Sequence, residues 1–195
     1  MTAPSPAPRR RKPKATIKYL TSEELERLFA VIKAARDKAI FRLAYHRGLR
    51  ASEVGLLTMA HYRQAAERLY VTRLKNGNSG EYGLTAIEVK ALRAWLKERG
   101  SRPGAIFLSK KKQAISQQML DVLMKKYCRL AHIPPEKAHF HSLRHSCATS
   151  LLDRGRDIAE IKDHLGHCNI ANTDIYARIT SARRDRAANE LRDWQ

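Results

Sequence analysis

The sequence of 195 residues is long enough for one well-cored domain with a short tail, and its hydrophobic fraction of 43% is that of a globular protein. Its formal net charge of +19 makes nucleic acid the first partner to expect and an anionic membrane surface the second. It contains no apolar run long enough to span a membrane, no signal peptide, and three cysteines whose irregular spacing does not fit a disulfide framework, so a reducing, cytoplasmic setting is expected.

The first 18 residues predict a flexible basic arm. This stretch contains six basic side chains, four prolines and no acidic residue, a composition that cannot bury a core. Two interpretations of the arm stay open: a solvated tail or localisation address, and a segment that contacts DNA. Removing its six charges leaves +13 on the other residues, so the folded body is itself basic.

Order is predicted to begin at a capping box formed by Thr21 and Glu24, ahead of a helix with an apolar face. A second helix is expected to end at Gly48, because glycine readily adopts the backbone conformation that terminates helices. A short third helix is expected over residues 52–57, beside Arg50.

A β-hairpin is predicted next. Apolar residues alternate over residues 68–74, turn-forming residues follow at 75–80, and residues 82–84 would return as the second strand. Ile106 and Phe107 are expected to form one more short strand. The sheet is therefore expected to be small and antiparallel.

Helices dominate the rest of the chain. Thr85 and Glu88 form another capping box, which begins a helix that Gly100 stops. After residue 116 the pattern is helical throughout, with elements expected at residues 119–130, 142–152 and 158–164, around Tyr176, and at 182–191. The predicted fold class is mainly α (α+β), with a small antiparallel β-sheet.

Three short motifs carry the candidate chemistry. GLRASE occupies residues 48–53, HSLRH residues 141–145, and LGH residues 165–167, with Tyr176 nine residues after the last motif. Two guanidinium groups can hold phosphate oxygens bidentately as negative charge builds on them. A histidine can take or return the proton of a tyrosine, which can itself become bonded to phosphorus. These residues therefore predict attack on a phosphodiester without a metal.

The same motifs, in this order and spacing, resemble the catalytic domain of the tyrosine recombinases, the phage-integrase family. The match runs from about Thr21 to the C-terminus. The resemblance implies that residues 19–195 form a tyrosine recombinase catalytic domain behind the arm at residues 1–18. The implied function is that of a site-specific DNA recombinase or integrase, which cleaves and rejoins DNA strands through a covalent 3′-phosphotyrosyl intermediate.

The resemblance also implies double-stranded DNA as the partner, a homo-oligomer on that DNA, expected to be a tetramer, and no membrane. No cofactor is expected, since a phosphotyrosyl bond preserves the energy needed to rejoin the strand. A metal ion is not expected either, because two arginines supply the charge that metals provide at other phosphoryl-transfer sites.

The roles at the phosphate fall to four residues in this resemblance. Arg50 and Arg144 would grip the scissile phosphate, and His167 would donate a hydrogen bond to it. Tyr176 would be the nucleophile, leaving a 3′-phosphotyrosyl bond and a free 5′-hydroxyl.

Proton transfer and support fall to three more residues. Lys75 would protonate the departing 5′-oxygen, His141 would be the acid/base partner of the tyrosine, and Glu53 would orient the site. The strand after Lys75 lacks the further basic residues and the proline usual in the family, so another acid stays open at that step. His139 is the alternative to His141, although the spacing to Arg144 favours His141.

A metal site is the competing interpretation of the histidines. His141 and His145 lie four residues apart on a predicted helix, which is the spacing of a zinc-binding pair. Later residues such as His164 and Cys168 could complete a mixed site. The metalloprotease pattern, however, requires a glutamate where Ser142 stands. The sequence therefore favours no metal.

Two other functions stay open: a type IB topoisomerase-like enzyme that relaxes DNA, and a non-catalytic DNA-binding regulator that retains the fold. The intact set of arginines, histidine and tyrosine speaks against the regulator. Family members usually carry a helical DNA-clamping domain ahead of the catalytic one, whereas the basic arm alone precedes Thr21 here. The chain is expected to be either a naturally short member, similar to the invertible-switch recombinases, or an excised domain.

Overall fold

A computed structural model of the protein describes residues 18–74 and 77–166. Within these ranges the chain forms seven α-helices, three short strands and two single turns of 3₁₀-helix. They are α1 (Ser22–Val31), α2 (Ala35–His46), α3 (Ala51–Val54), a 3₁₀ turn (Met59–His61), β1 (Tyr62–Arg63), β2 (Arg68–Val71), β3 (Gly80–Gly83), α4 (Ala86–Arg99), α5 (Gln117–Leu130), a 3₁₀ turn (Pro135–Lys137), α6 (His141–Asp153) and α7 (Ile158–Leu165). The fold class predicted from the sequence is confirmed, since the protein is mostly helical with a small antiparallel sheet.

The N-terminal helix α1 begins where the sequence predicts. The Thr21 N–H donates to Glu24 Oε2 at 2.8 Å and the Glu24 N–H donates to Thr21 Oγ1 at 3.3 Å, which completes the capping box. Its apolar face, which includes Leu28, is buried in the core. Just before α1, the Leu20 N–H donates to Ser146 Oγ at 2.8 Å, so this end of the described chain is bonded to α6.

Helix α2 is the centre of the core and packs against α4 and α6. Its residues Ile40, Phe41 and Leu43 are wholly buried. The Phe41 ring meets Tyr127 of α5 and Phe140 edge-on, with ring centroids 5.5 and 5.7 Å apart. Edge-to-face pairs of this kind stabilise a core beyond the area they bury. These contacts fix the position at which α2 ends, where the first motif begins.

The chain turns sharply after α2. The helix ends at His46, two residues before the glycine predicted to stop it, and the Arg47 N–H still donates to the Leu43 carbonyl at 2.9 Å. Gly48 has a φ of +55°, and a Cβ at this position would lie 2.3 Å from Leu165 Cδ2. Glycine is therefore required here both by its backbone conformation and by the close packing of α7.

Helix α3 is shorter than the sequence suggests. It covers Ala51–Val54, whereas a helix over residues 52–57 was expected. The N–H groups of Leu56 and Leu57 each donate to the carbonyl three residues back, at 3.1 and 3.4 Å. Such bonds are typical of the tight turns that end an α-helix, and they explain why the expected extent was wrong.

The predicted hairpin is present, and a third strand joins it. The sheet order is β1-β2-β3, all antiparallel, and Leu69 lies opposite Tyr62 on one side and Tyr82 on the other. The returning strand covers Gly80–Gly83 where residues 82–84 were expected. The sequence did not suggest β1, because a strand of two residues is too short to show an alternating pattern.

Strand β2 ends at Val71 rather than at residue 74. The next backbone donors bond side chains instead of a neighbouring strand. The Arg73 N–H donates to Ser79 Oγ at 2.9 Å, and the Leu74 N–H donates to Glu53 Oε1 at 3.3 Å. The ladder stops because these donors are used elsewhere, and the same bonds lead the chain toward α3.

The short strand predicted at Ile106 and Phe107 is wrong. Both residues are buried, but the chain around them pairs through isolated bridges, one of which joins Thr58 and Ala105. The Ile106 carbonyl accepts a hydrogen bond from the Trp95 indole N–H at 2.9 Å rather than from a strand. A short apolar run marks burial in this case and not an extended ladder.

The later helices lie close to their predicted positions. Glu88 Oε2 accepts from the Thr85 N–H at 2.8 Å at the start of α4, and Gly100 ends that helix with a φ of +78°. Helices α5, α6 and α7 begin and end within two residues of the expected bounds. A small apolar cluster joins the last two: Cys147, Ala148, Leu152, Ile161 and Leu165.

Several predicted segments lie outside the described residues: the basic arm up to residue 17, the segment around Tyr176 and the helix at residues 182–191. Within residues 18–74 and 77–166, none of the helices has the length and apolar character needed to cross a bilayer.

Replacing Gly48 with alanine is expected to lower the free energy of unfolding by about 2 to 4 kcal/mol, because the new Cβ must adopt a left-handed backbone conformation and displace Leu165. Urea unfolding at neutral pH measures the change. Gly80→Ala is the matched control, since a Cβ there would meet nothing within 4 Å. A Gly48→Ala variant as stable as the parent would contradict the close packing of α7 against this turn.

Candidate active site

The two arginine motifs meet at one backbone atom, the carbonyl oxygen of Gly48. Arg144, the fourth residue of α6, donates a short hydrogen bond to this oxygen through Nη1 and a second bond to the Leu165 carbonyl through Nη2 at 2.9 Å. Arg144 itself is buried. Because Gly48 lies two residues before Arg50, these bonds hold α6 against the loop that carries Arg50.

Arg50 is fixed by Glu53, one turn further along α3. Arg50 Nη1 donates to Glu53 Oε1 at 2.6 Å, and the Arg50 N–H donates to Glu53 Oε2 at 2.9 Å. The Glu53 side chain has no exposed surface, whereas 18% of the Arg50 side chain is exposed. The arginine expected to contact phosphate is thus oriented from inside the protein and still reaches solvent.

The Glu53 carboxyl is held in its charged form. Burial alone would raise its pKa, but the hydrogen bond from the Arg50 N–H and the charges of Arg73 and Arg50 outweigh burial and lower the pKa below its ordinary value. Glu53 is therefore an anion that orients two arginines.

Arg73 is a site residue that the sequence analysis missed. Its side chain is wholly buried beside the first motif. Its Nη1 donates to Glu53 Oε2 at 3.0 Å and to the Gly48 carbonyl at 3.4 Å, and its Nη2 donates to the carbonyls of Arg47 and His164 at 2.8 and 3.0 Å. This guanidinium joins the hairpin to the ends of α2 and α7.

A signal for Arg73 was present in the alternation of the hairpin. Leu69 and Val71 are the buried residues of β2, and Arg73 continues the same two-residue period. Side chains two residues apart on an extended chain face the same side. An arginine in phase with buried apolar residues indicates an internal ion pair, since an unpaired buried cation is strongly unfavourable.

The histidines of the second motif stand one turn apart on α6. His141 is exposed at the start of the helix, and its ring is nearly perpendicular to that of His145, with centroids 4.6 Å apart. Burial, together with the neighbouring His141 and Arg144, lowers the pKa of His145 to about 4. His145 is therefore neutral at physiological pH, and it is His141 that faces solvent.

His164 has a packing and hydrogen-bonding role. Its Nε2 lies 2.8 Å from the His46 carbonyl, and its ring packs edge-on against Tyr82 with centroids 6.2 Å apart. Burial lowers the pKa of His164. This contact ties the last turn of α7 to the end of α2.

Tyr127 is unsuited to act as a nucleophile in place of Tyr176. The residue is buried, and its hydroxyl donates to Asp37 Oδ2 at 2.7 Å. Burial and the Asp37 carboxylate raise the pKa of Tyr127. A phenol that ionises with difficulty and does not reach solvent cannot attack a DNA phosphate.

Three of the predicted site residues lie outside the described part of the chain: Lys75, His167 and Tyr176. The described residues next to them converge on the first motif. The Leu74 N–H donates to Glu53 Oε1, and a Cβ on Gly166 would lie 2.9 Å from Arg73 Cγ. The structure therefore brings together Arg50, Glu53 and Arg144. Leu74 and Gly166, the described residues that precede Lys75 and His167, lie beside this cluster.

The competing metal site has no complete ligand set among the described residues. Within residues 18–74 and 77–166, no three His, Cys, Asp or Glu side chains are grouped so that they could hold a metal ion. His164, one of the proposed ligands, directs Nε2 to a backbone carbonyl instead. His167 and Cys168 fall outside the described ranges.

The sequence matches a known protein family and is similar to several known proteins. The model of the phage integrase family matches residues 18–183. The type 1 fimbriae regulatory protein FimB of Escherichia coli (strain K12) is 35% identical over 173 residues, which cover 85% of this chain and 86% of that protein. Tyrosine recombinase XerA of Pyrococcus horikoshii is 32% identical over 174 residues, which cover 87% of this chain and 59% of that protein.

The fold is similar as well. A crystal structure of XerA recombinase matches with a TM-score of 0.78 and 27% sequence identity, covering 94% of this chain and 66% of the other. The chain thus spans most of the length of FimB and less than two thirds of the XerA chains.

Stability should fall as pH is lowered from about 6.5 towards 4, because the unfolded chain takes up a proton on His145 in this window and the folded protein does not. His145 alone contributes up to about 1.4 kcal/mol per pH unit, and the stability present above pH 6.5 is lost as pH falls through the folded pKa. His145→Gln should flatten the curve of unfolding free energy against pH, measured by urea titration. His132→Asn, at an exposed histidine, is the control. Identical slopes in His145→Gln and the parent would refute this.

Proposed function

Because the chain belongs to the phage integrase family, we propose a role in DNA strand cleavage for each of its site residues. The protein is a tyrosine recombinase, an enzyme that breaks and rejoins DNA strands in site-specific recombination or integration. The topoisomerase-like and purely regulatory functions considered from the sequence are not favoured, since its relatives include named tyrosine recombinases.

The observation that carries the proposed residue roles is the junction at the Gly48 carbonyl. It ties Arg144 to the loop of Arg50 across 96 residues of sequence. Two guanidinium groups anchored at one junction can hold the non-bridging oxygens of a single phosphate and stabilise the charge that develops on them. Glu53 orients Arg50 for this contact, and the Gly48 and Leu165 carbonyls orient Arg144.

In the proposed reaction, the Tyr176 oxygen attacks the scissile phosphorus while His141 takes the phenolic proton. The bond between phosphorus and the 5′-oxygen breaks, and this oxygen takes a proton from Lys75. His167 donates a hydrogen bond to the phosphate. The products are a 3′-phosphotyrosyl bond and a free 5′-hydroxyl, and attack by the 5′-hydroxyl of another strand reverses the step without a nucleotide cofactor.

The neutral state of His145 supports the role proposed for His141. A charged imidazole 4.6 Å away would oppose the uptake of a proton by His141. With its pKa lowered to about 4, His145 adds no such charge at physiological pH. The charge of this neighbour therefore does not oppose proton transfer to the exposed histidine.

Double-stranded DNA is the proposed substrate, bound by a homo-oligomer that we expect to be a tetramer. The net charge of +19 supports binding to the phosphate backbone, and a XerH recombinase of similar fold is described in complex with its difH substrate. In this proposal residues 19–195 form the catalytic domain, the basic arm at residues 1–18 adds contacts to phosphate, and the protein acts in the cytoplasm.

Tyr176→Phe is expected to bind DNA within about twofold of the parent, because the arginines and basic surface are unchanged, but to form no covalent adduct. Denaturing gels of a labelled duplex measure the adduct. Tyr70→Phe is the matched control and should form it, since Tyr70 lies exposed on β2. An undiminished adduct in Tyr176→Phe would mean that the nucleophile is another residue.

Cleavage is expected to continue in EDTA at a rate within about twofold of the untreated protein, because the arginine pair supplies the positive charge that metals provide elsewhere. The same gel, with and without chelator, tests this. A full loss of adduct that zinc or magnesium restores would contradict it and would favour a metal site at His141 and His145.

A further inference from the structure

Arg73 is one of three buried arginines among the residues that the structure describes. Its side chain has no exposed area. Burying a guanidinium is unfavourable unless its donors find partners and its charge is matched. Its guanidinium is bound by Glu53 and by backbone carbonyls, so its position serves contacts within the protein.

The guanidinium binds three separate segments of the chain. It forms an ion pair with Glu53 at 3.0 Å on α3, donates to the Arg47 carbonyl at 2.8 Å after α2, and donates to the His164 carbonyl at 3.0 Å in α7. It also lies over the Tyr82 ring, 5.4 Å from its centroid, on the returning strand. One side chain thus holds the hairpin against the first arginine motif and the end of α7.

The backbone next to Arg73 is fixed in the same way. The Arg73 N–H donates to Ser79 Oγ at 2.9 Å, and the Leu74 N–H donates to Glu53 Oε1 at 3.3 Å. The Gly77 N–H donates to the Leu74 carbonyl at 3.2 Å. Both described neighbours of residues 75 and 76 are therefore anchored.

Two glycines let this segment pack closely against the end of α7. A Cβ on Gly77 would lie 2.7 Å from Arg73 Cβ and 2.8 Å from the Gly166 carbonyl. A Cβ on Gly166 would lie 2.9 Å from both Arg73 Cγ and the Asn78 carbonyl. The segments that lead into Lys75 and His167 are held against the Arg73 side chain with no room to shift.

We propose that Arg73 is the positioning residue for the leaving-group acid. Its contacts fix Leu74 and Gly77, the described residues on either side of the turn, relative to Arg50 and Arg144. Lys75 can then deliver its proton to the 5′-oxygen as the bond to phosphorus breaks. This inference rests on the proposed function. A lysine at position 73 would keep the charge opposite Glu53, but its single nitrogen cannot span the carbonyls that the guanidinium fork reaches.

The test compares cleavage of ordinary DNA with cleavage of DNA in which the bridging 5′-oxygen at the scissile phosphate is sulfur. A thiolate leaves without protonation, so a defect in the acid disappears on the sulfur substrate. Arg73→Met is expected to be about 100-fold slower than the parent on oxygen DNA and within about threefold of it on sulfur DNA. Arg73→Lys should show the same selectivity with a loss of about tenfold.

Two further variants calibrate the result. Lys75→Ala gives the ratio of oxygen to sulfur rates that loss of the acid itself produces. Arg68→Met removes a half-exposed arginine of the same hairpin, paired with Glu81, and should behave as the parent on both substrates. Circular dichroism establishes that each variant is folded, and Arg73→Lys serves as the test if Arg73→Met is not.

Equal losses on the two substrates would overturn the positioning role, because they would mean that Arg73 only maintains the fold. Parental rates on both would overturn it as well. Either result, obtained while the parent forms its adduct and Lys75→Ala is selectively slow on oxygen DNA, leaves the proposed function intact. A parent that forms no adduct would instead overturn the proposed function together with this inference.

Discussion

The carboxylate of Glu53 is buried between two arginines, Arg50 and Arg73, and accepts hydrogen bonds from both. Each oxygen is shared: Oε1 also accepts from the Leu74 N–H, and Oε2 also accepts from the Arg50 N–H. The cost of burying a charge is offset here because two cations and two backbone donors surround it. One ionised group thus fixes α3, the loop before it and the end of β2 relative to one another.

Two of the buried arginines, Arg73 and Arg144, are bound largely by backbone carbonyls. These belong to the ends of two helices: Arg47 and Gly48 after α2, and His164 and Leu165 in α7. Carbonyls at a helix C-terminus lack partners within the helix and carry partial negative charge. The negative ends of two helix dipoles therefore point at these two buried arginines. Glu53 adds a full negative charge beside Arg73.

Local signals in the sequence predicted those elements of the fold that depend on interactions between residues close in sequence. The capping boxes at Thr21 and Thr85 located helix starts because both members lie within one turn. The motifs grouped Arg50 with Arg144, and the structure bonds Arg144 to the Gly48 carbonyl, two residues before Arg50. Arg73 was missed because Glu53 and the His164 carbonyl, two of the groups that bind its guanidinium, lie 20 and 91 residues away. The end of β2 depended on side-chain acceptors for backbone N–H groups, Ser79 and the more distant Glu53, which alternation along the chain does not indicate.

Because Arg73 and Arg144 are buried, their interactions respond to salt differently from those of the exposed charges. Dissolved ions screen exposed charges beyond about 8 Å at physiological ionic strength, whereas buried pairs are screened far less. Attraction between a surface rich in lysine and arginine and the phosphates of DNA weakens steeply as counterions accumulate. The internal arginines do not share that sensitivity. A concentrated salt wash that strips nucleic acid from this protein should leave the arrangement of its internal arginines in place.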